Sequence, residues 1–200
     1  MAMLSADQQD ALQELMNVAM GMASDQLARY LNTLVHLQVP AIRLVQPSDL
    51  LAQLEPENAD QQRQIVSQGF IGDAGFQGEA VLFYQLSNAR QLATMLGYPA
   101  DDANDAEMLT DISSILTTTF LNSLGGQLSA QLSYSAPRLL SDQQELLVQR
   151  IETPGWRAAL QVSIHYQVID YAFQCEMVLL IPELGLQTLQ QRLDAILLEY

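Results

Sequence analysis

The side chains that could do chemistry lie close together near the start of the chain. Four residues follow one another at steps of three, four and three positions: Glu14, Asn17, Gly21 and Ser24. This spacing places them on one stripe of a helix. A carboxylate can pair with a cation, a carboxamide can both donate and accept hydrogen bonds, and a glycine lets a partner's backbone come close. The stripe suits a surface that acts on another molecule, although an ordinary solvated helix face has the same composition.

Other chemistries lack the residues that they need. All eight basic residues are arginines, which excludes every chemistry that requires a lysine amine, such as a phosphate loop or a Schiff base. The two histidines, His36 and His165, have no cysteine or acidic residue at ligand spacing, so we expect no metal site. His165 alternates with polar neighbours and is expected at the surface of a strand. Cys175, the only cysteine, is expected to be a small buried side chain rather than a nucleophile.

Composition and charge restrict the class of protein. The chain has 200 residues, of which 49% are hydrophobic, enough for a packed core. Acidic residues outnumber basic ones by 23 to 8, and the formal net charge of −15 argues against binding to nucleic acids or anionic membranes. No apolar run approaches the roughly 18 residues of a membrane span. The first residues have neither a basic region nor a signal-length apolar stretch, so we expect a cytoplasmic protein whose partners are proteins or small molecules.

An internal repeat organises the sequence. A shift of 97 residues places Glu14 on Asp111 and Pro40 on Pro137, and it also aligns 76–82 with 173–179. The period is too long for a solenoid, so we predict a duplication, with two copies of one unit packed together. The copies should span about 5–97 and about 102–197 within a single domain, on the same repeat argument.

Each copy predicts the same order of elements. Apolar residues recur at helical spacing up to Leu31, and Ser5 with Gln8 forms a capping-box pattern, which predicts a first helix of roughly 25 residues. The remaining elements of the first copy are an extended Ala41–Val45, a helical patch at Ser48–Leu54, strands Gln64–Gly72 and Phe76–Gln85 around a turn at Asp73–Gly75, and a helix over Ser87–Leu96. Those of the second copy are a helix Asp105–Leu128, an extended Pro137–Leu140, strands Ala158–Val168 and Tyr171–Ile181, and a helix from Leu186.

These elements predict an α+β fold (mixed α/β). Because each copy contains a hairpin, the sheet should be largely antiparallel. The two long helices should cover one face of this sheet, in a duplicated unit with pseudo-two-fold symmetry.

A resemblance to a known family rests on three features. They are the segment Glu14-Leu-Met-Asn17-Val-Ala-Met-Gly21 early in a long helix, a Val39-Pro40 step that leads into a strand, and a degenerate second copy. Together they resemble the CheC/CheX/FliY family of chemotaxis phosphatases over nearly the whole chain. The family signature is a Glu-x-x-Asn pair on the long helix of each half.

The second copy departs from this signature. It reads Asp111-Ile-Ser-Ser114, and Thr118 replaces the glycine of the first copy. Aspartate is one methylene shorter than glutamate, and a serine hydroxyl cannot reach as far as a carboxamide. We therefore expect the second site to be inactive.

The resemblance implies hydrolysis of the acyl phosphate on the aspartate of a response-regulator receiver domain. Asn17 would position the attacking water, Glu14 would pair with a lysine of the receiver, and Gly21 and Ser24 would take part in docking. The chain would bind no cofactor of its own, because the receiver supplies Mg²⁺. A receptor-modifying chemotaxis protein is a further partner that the family suggests.

Two other classes of function stay open. Relatives with this fold in the flagellar switch lack the catalytic pair and act as adaptors, and a chain with one decayed site could follow that route. A pseudo-symmetric small-ligand or dimerisation domain would instead use the apolar helix faces. The intact Glu14 and Asn17 favour the phosphatase.

Overall fold

The computed structural model of the chain describes residues 4–46, 63–86, 93, 96–98, 105–140, 159–168 and 173–198. The helices in this part of the chain are α1 (Ala6–Leu31), α2 (Asp105–Gln127) and α3 (Glu183–Leu197). The strands are β1 (His36–Val45), β2 (Arg63–Gly72), β3 (Gln77–Leu86), β4 (Leu132–Tyr134), β5 (Arg138–Leu139), β6 (Ala159–Val168) and β7 (Phe173–Pro182). A short 3-10 turn, Asp73–Gly75, joins β2 to β3.

The seven described strands form one sheet in the order β1, β6, β7, β3, β2, β4, with β5 also paired to β2. Every pairing between them is antiparallel. β1 of the first half pairs with β6 of the second, whereas β4 and β5 of the second half pair with β2 of the first. The two halves therefore complete each other's edge of a shared sheet, with β3 and β7 side by side at its centre.

Alternation along the strands directs one face of the sheet toward the helices. In β6, Leu160, Val162 and Ile164 belong to the main core, whereas the residues between them, Gln161 and Ser163, lie on the opposite face. That opposite face carries a second, smaller apolar cluster made of Val45, Ile65, Val81, Leu140, Val178 and Leu180. The predicted fold class is confirmed: the described chain is an α+β fold with an antiparallel sheet and two long helices on one face.

The helix α1 begins and ends as its sequence dictates. The Ser5 hydroxyl accepts the Gln8 backbone N–H, and the Gln8 side chain accepts the Ser5 N–H in return, which completes the predicted capping box. Asn32 ends the helix in the left-handed conformation, with φ at 50°. Apolar side chains that are fully buried in the main core recur along one side of α1: Leu12, Met16, Ala19, Ala23 and Leu27.

The helices α1 and α2 lie side by side and antiparallel. At one end of the pair, the Gln127 Nε2 atom donates to the Leu15 carbonyl oxygen at 3.1 Å. At the other end, Tyr98 links Tyr30 of α1 to Asp111 of α2 through its hydroxyl group. The motif turn of each helix therefore lies near the last turn of the other.

The helix α3 packs against the β2–β3 turn and the end of α2. The Thr188 hydroxyl donates to the Ala74 carbonyl oxygen at 2.8 Å. The Arg192 guanidinium donates to the Asp73 carboxylate at 2.6 Å and to the Leu128 carbonyl oxygen at 2.7 Å. These contacts close the helix-covered side of the sheet at the hairpin.

The strand β1 is longer than the predicted Ala41–Val45. It begins at His36 and runs through Pro40, and its pairing with β6 shifts register between Gln38 and Ala41. A proline lacks the N–H that a ladder needs, so it is tolerated at an edge strand or at an irregularity of this kind. The prediction placed the proline before the strand and was wrong at this boundary.

The other elements agree with the prediction to within a few residues. Both hairpins and the second long helix are confirmed, whereas the short β4 was not predicted, and α3 begins at Glu183 rather than at Leu186. The predicted helical patch at Ser48–Leu54 lies outside the described residues, as does the predicted helix over Ser87–Leu96 apart from Ala93 and Leu96.

The strand pairing shows which residues of the two halves correspond. Ser67 lies opposite Val81 in the first hairpin, and Ser163 lies opposite Val178 in the second. The shift between halves is thus 96 residues from β2 to β6 and 97 residues from β3 to β7. The single shift of 97 residues is wrong by one position in β6. It is restored in β7, because four residues separate Val168 from Phe173, whereas three separate Gly72 from Phe76.

Two helical glycines provide a matched test of the α3 packing. A Cβ added at Gly185 would lie 2.7 Å from the Gln77 carbonyl oxygen, whereas one added at Gly126 of α2 meets nothing within 4 Å. Gly185→Ala should lower the free energy of unfolding by about 1–3 kcal/mol, because backbone must shift. Gly126→Ala should leave it unchanged or raise it by up to about 1 kcal/mol. Urea unfolding curves measure both, and equal midpoints would show that α3 does not press on β3.

Candidate functional site

The predicted stripe on α1 forms an open surface. Glu14 and Gly21 are exposed and Asn17 is half-buried, and all three lie on the side of the helix away from the core. Two apolar side chains share this surface, since Val18 is 51% and Met22 is 53% exposed. The resulting α1 surface, which comprises these five residues, combines a carboxylate, a carboxamide and apolar groups around a glycine.

Gly21 leaves the middle of the α1 surface unobstructed. A Cβ added there would meet no atom within 4 Å. The described fold therefore does not need a glycine at this position, although glycine costs a helix interior about 1 kcal/mol relative to alanine. A glycine here leaves the helix backbone open to close approach by another molecule.

Ser24 does not belong to this surface. Its side chain is only 8% exposed, because it follows Met20 by four residues and precedes Leu27 by three, and both of these are buried. The last residue of the predicted stripe therefore faces the interior of the protein rather than solvent. Of the two predicted docking residues, Gly21 therefore lies on the exposed surface and Ser24 does not.

The carboxamide of Asn17 has a defined neighbour. The Gln13 Nε2 atom donates a hydrogen bond to the Asn17 Oδ1 atom at 3.3 Å, one helical turn away. This contact uses neither the Asn17 amino group nor the second lone pair of its oxygen. Among the described residues, no group forms a hydrogen bond or ion pair with the Glu14 carboxylate. The two polar groups of the motif are thus available to a partner.

Gln127 contacts the helical turn of α1 that carries this motif, and sequence reasoning missed it. Besides the Leu15 carbonyl oxygen, its Nε2 atom reaches the Ser123 carbonyl oxygen of its own helix at 3.3 Å. Both acceptors are backbone atoms. The contact joins the last turn of α2 to the motif turn of α1 without using Glu14 or Asn17.

The second half presents a different arrangement. The Tyr98 hydroxyl donates to the Asp111 Oδ2 atom at 2.5 Å, and the Tyr30 hydroxyl lies 3.3 Å from that of Tyr98. On the next turn, the Thr118 hydroxyl donates to the Ser114 carbonyl oxygen at 2.5 Å. Burial first, and then the hydrogen bond to Asp111, raise the pKa of Tyr98, so its phenol remains a donor to the Asp111 carboxylate to a higher pH than an ordinary tyrosine would. The carboxylate that corresponds to Glu14 is therefore already bound within the chain.

The remaining residues with reactive side chains do not form a site. Cys175 is buried in β7, and burial raises the pKa of its thiol, which disfavours the nucleophilic thiolate. His165 is exposed, as predicted, on the face of the sheet opposite the described long helices, where its Nε2 atom lies 3.9 Å from a Glu176 oxygen. Within the described ranges, no three His, Cys, Asp or Glu side chains come together as a metal-binding group.

None of the described helices is long and apolar enough to cross a membrane.

Comparison with solved structures identifies the fold. FliY of Thermotoga maritima gives a TM-score of 0.68 at 16% identity, covering 97% of this chain and 99% of that chain. The FliM middle domain of H. pylori gives a TM-score of 0.64 at 13% identity, covering 94% and 99%. CheX of Borrelia burgdorferi, solved as a complex with CheY, BeF3 and Mg²⁺, gives a TM-score of 0.54 at 17% identity, covering 85% and 97%.

The chain thus has the fold that FliY, the FliM middle domain and CheX share. The resemblance to the CheC/CheX/FliY proteins is confirmed at the level of the fold. No protein-family model and no curated protein matches the sequence.

Proposed function

We propose that this chain binds the phosphorylated receiver domain of a response regulator on the α1 surface and hydrolyses its aspartyl phosphate. The observation that carries the proposal is the pair formed by the exposed Glu14 carboxylate, which has no partner among the described residues, and the half-buried Asn17 carboxamide, beside an open glycine. The shared fold supports it, because CheX of Borrelia burgdorferi was solved in a complex with CheY, BeF3 and Mg²⁺. The setting is chemotaxis or a related two-component signalling system.

In this proposal, Asn17 supplies orientation rather than covalent chemistry. Its carboxamide holds a water molecule in line with the phosphoryl group, while the amino group donates to a phosphoryl oxygen. The water oxygen forms the new bond to phosphorus, the bond to the aspartyl oxygen breaks, and that carboxylate leaves with the electron pair. A proton of the water passes to the released phosphate. Positioning of this kind contributes much of the rate in phosphoryl transfer.

Glu14 fixes the register of docking. A carboxylate one helical turn before Asn17 pairs with a lysine of the receiver through a charge-assisted hydrogen bond. Val18 and Met22 add apolar contact beside Glu14 and Gly21, and interfaces often place apolar groups beside a few polar anchors of this kind. The partner supplies the Mg²⁺ that neutralises the phosphoryl oxygens, and the chain brings no cofactor of its own.

An adaptor without catalysis is the second candidate. The FliM middle domain has the same fold, and one H. pylori structure is a FliG–FliM complex. The second half of this chain, with Ser114 where the motif has an asparagine, has also lost the positioning group. An adaptor would bind receivers, or another signalling or flagellar protein, without shortening the lifetime of the phosphate.

Removal of the motif side chains tests the phosphatase. Asn17→Ala should slow dephosphorylation of a receiver by about 100-fold or more with little change in affinity, because the water is no longer oriented. Glu14→Ala should mainly raise the receiver concentration needed for half-maximal rate. Loss of labelled phosphate from the receiver measures both effects.

Ser114→Ala is the matched control for Asn17→Ala, since it truncates the corresponding residue of α2, and it should leave the rate unchanged. Equal rates for Asn17→Ala and the parent chain would refute the role of the amide. Binding of receivers by the parent chain without any faster loss of phosphate would establish the adaptor instead.

A substitution at Gly21 should affect receiver binding and folding stability in opposite directions. Gly21→Leu should raise the free energy of unfolding by up to about 1 kcal/mol, since leucine favours helix over glycine and the site has no neighbouring atom. The same change should weaken receiver binding by at least about tenfold, because the side chain fills the approach; tenfold corresponds to about 1.4 kcal/mol. Titration calorimetry and urea unfolding measure the two effects. Ala195→Leu, at an exposed position of α3, is the control and should alter neither, whereas unchanged binding by Gly21→Leu would remove Gly21 from the interface.

A further inference from the structure

We infer that Tyr98 occupies the docking position of the second half, so that the chain takes one receiver domain at a time, on α1. The inference rests on the proposed function, which it extends to the stoichiometry of the complex. It is carried by an asymmetry between two corresponding surfaces. One of them is open, and the other is filled by a side chain of the same molecule.

The repeat defines which positions correspond. The shift that places Glu14 on Asp111 also places Tyr30 on Gln127, at the ends of the two antiparallel helices. Each of these end residues points toward the motif turn of the opposite helix. Gln127 binds backbone atoms there and leaves Glu14 free, whereas Tyr30 meets Tyr98, which binds Asp111.

Tyr98 is held in this position by more than its hydroxyl group. Its backbone N–H donates to the Ala93 carbonyl oxygen at 3.0 Å, and its side chain is half-buried against the helix pair. A hydrogen bond to a carboxylate is about twice as strong as one between neutral groups. Because Tyr98 belongs to the same chain, its effective concentration at Asp111 is high, and a partner's cation must displace it to reach the carboxylate.

A second obstacle lies one turn along α2. Thr118 stands where α1 has Gly21, so a β-branched side chain replaces the open approach. Its hydroxyl bonds the Ser114 carbonyl oxygen, which fixes it against the helix. The second half therefore differs from the first at all three positions of the motif. Tyr98 covers Asp111, the counterpart of Glu14. Thr118 fills the place of Gly21, and Ser114 lacks the carboxamide of Asn17.

Transfer of the first motif onto α2 tests whether Tyr98 blocks receiver binding to that helix. The grafted chain carries Asp111→Glu, Ser114→Asn and Thr118→Gly, with and without Tyr98→Ala, and receivers activated with beryllium fluoride are counted by sedimentation and calorimetry. The parent chain and the graft that retains Tyr98 should each bind one receiver. The graft with Tyr98→Ala should bind two, and urea unfolding curves confirm that every variant is folded.

Two outcomes overturn the inference. Two receivers on the graft that retains Tyr98 would show that Tyr98 does not close the surface. One receiver on the folded graft with Tyr98→Ala would place the obstruction elsewhere. Neither result affects the proposed function, which fails only if the parent chain binds no receiver on α1 or binds it without hydrolysis.

A measurement without any receiver tests the contact itself. In an alkaline absorbance titration, the difference between the parent chain and Tyr98→Phe isolates the ionisation of Tyr98. Asp111→Ala should move this ionisation to lower pH, because the carboxylate that opposes a phenolate is gone. An unchanged titration would show that Tyr98 does not bind Asp111, and the inference falls whatever the receiver experiments give.

Discussion

The exchange of edge strands between the two halves is the constraint on which the rest of the structure depends. β1 completes the sheet beside β6, and β4 with β5 completes it beside β2, so neither half has a finished sheet without the other. Each long helix directly precedes one of these exchanged strands. The exchange therefore holds α1 and α2 side by side on one face, and the motif turn of each helix is positioned by the last turn of the other. A site on such a rigid element suits chemistry that depends on orientation.

The α1 surface follows from how a helix divides its residues between core and solvent. Every third or fourth residue of α1 is fully buried, which leaves Glu14, Asn17 and Gly21 on the outer side. Val18 and Met22 are about half exposed, although apolar side chains gain from burial. A partner that covers them gains that burial, which gives the motif a source of binding energy beyond one ion pair and one amide.

Local patterns were sufficient to predict most of the fold, but not the details of the site. Helical periodicity and the capping box predicted α1 almost to the residue, because both depend on neighbours in sequence. Spacing also predicted Glu14, Asn17 and Gly21 on one stripe, yet it could not show that Ser24 turns inward, since that depends on where the sheet and α2 lie. Tyr98 and Gln127 were missed for a related reason: their contacts with α1 join residues 68 and 112 positions apart, and no local signal marks them.

The asymmetry between the halves is consistent with a duplication in which the sheet-facing side of each helix is constrained and its outer side is not. Both helices must cover the sheet, so α2 keeps its apolar side, whereas the outer side of each helix is free to differ. On α2, Ser113 and Thr117 are fully buried, and the Tyr84 hydroxyl lies 2.6 Å from that of Ser113, so even its polar residues serve packing. With a net charge of −15, the chain does not attract acidic partners over distance, and charges farther apart than about 8 Å are screened at physiological salt. Recognition must then come from short-range contacts, and the helix that has kept an open glycine beside a free carboxylate is the one that can make them.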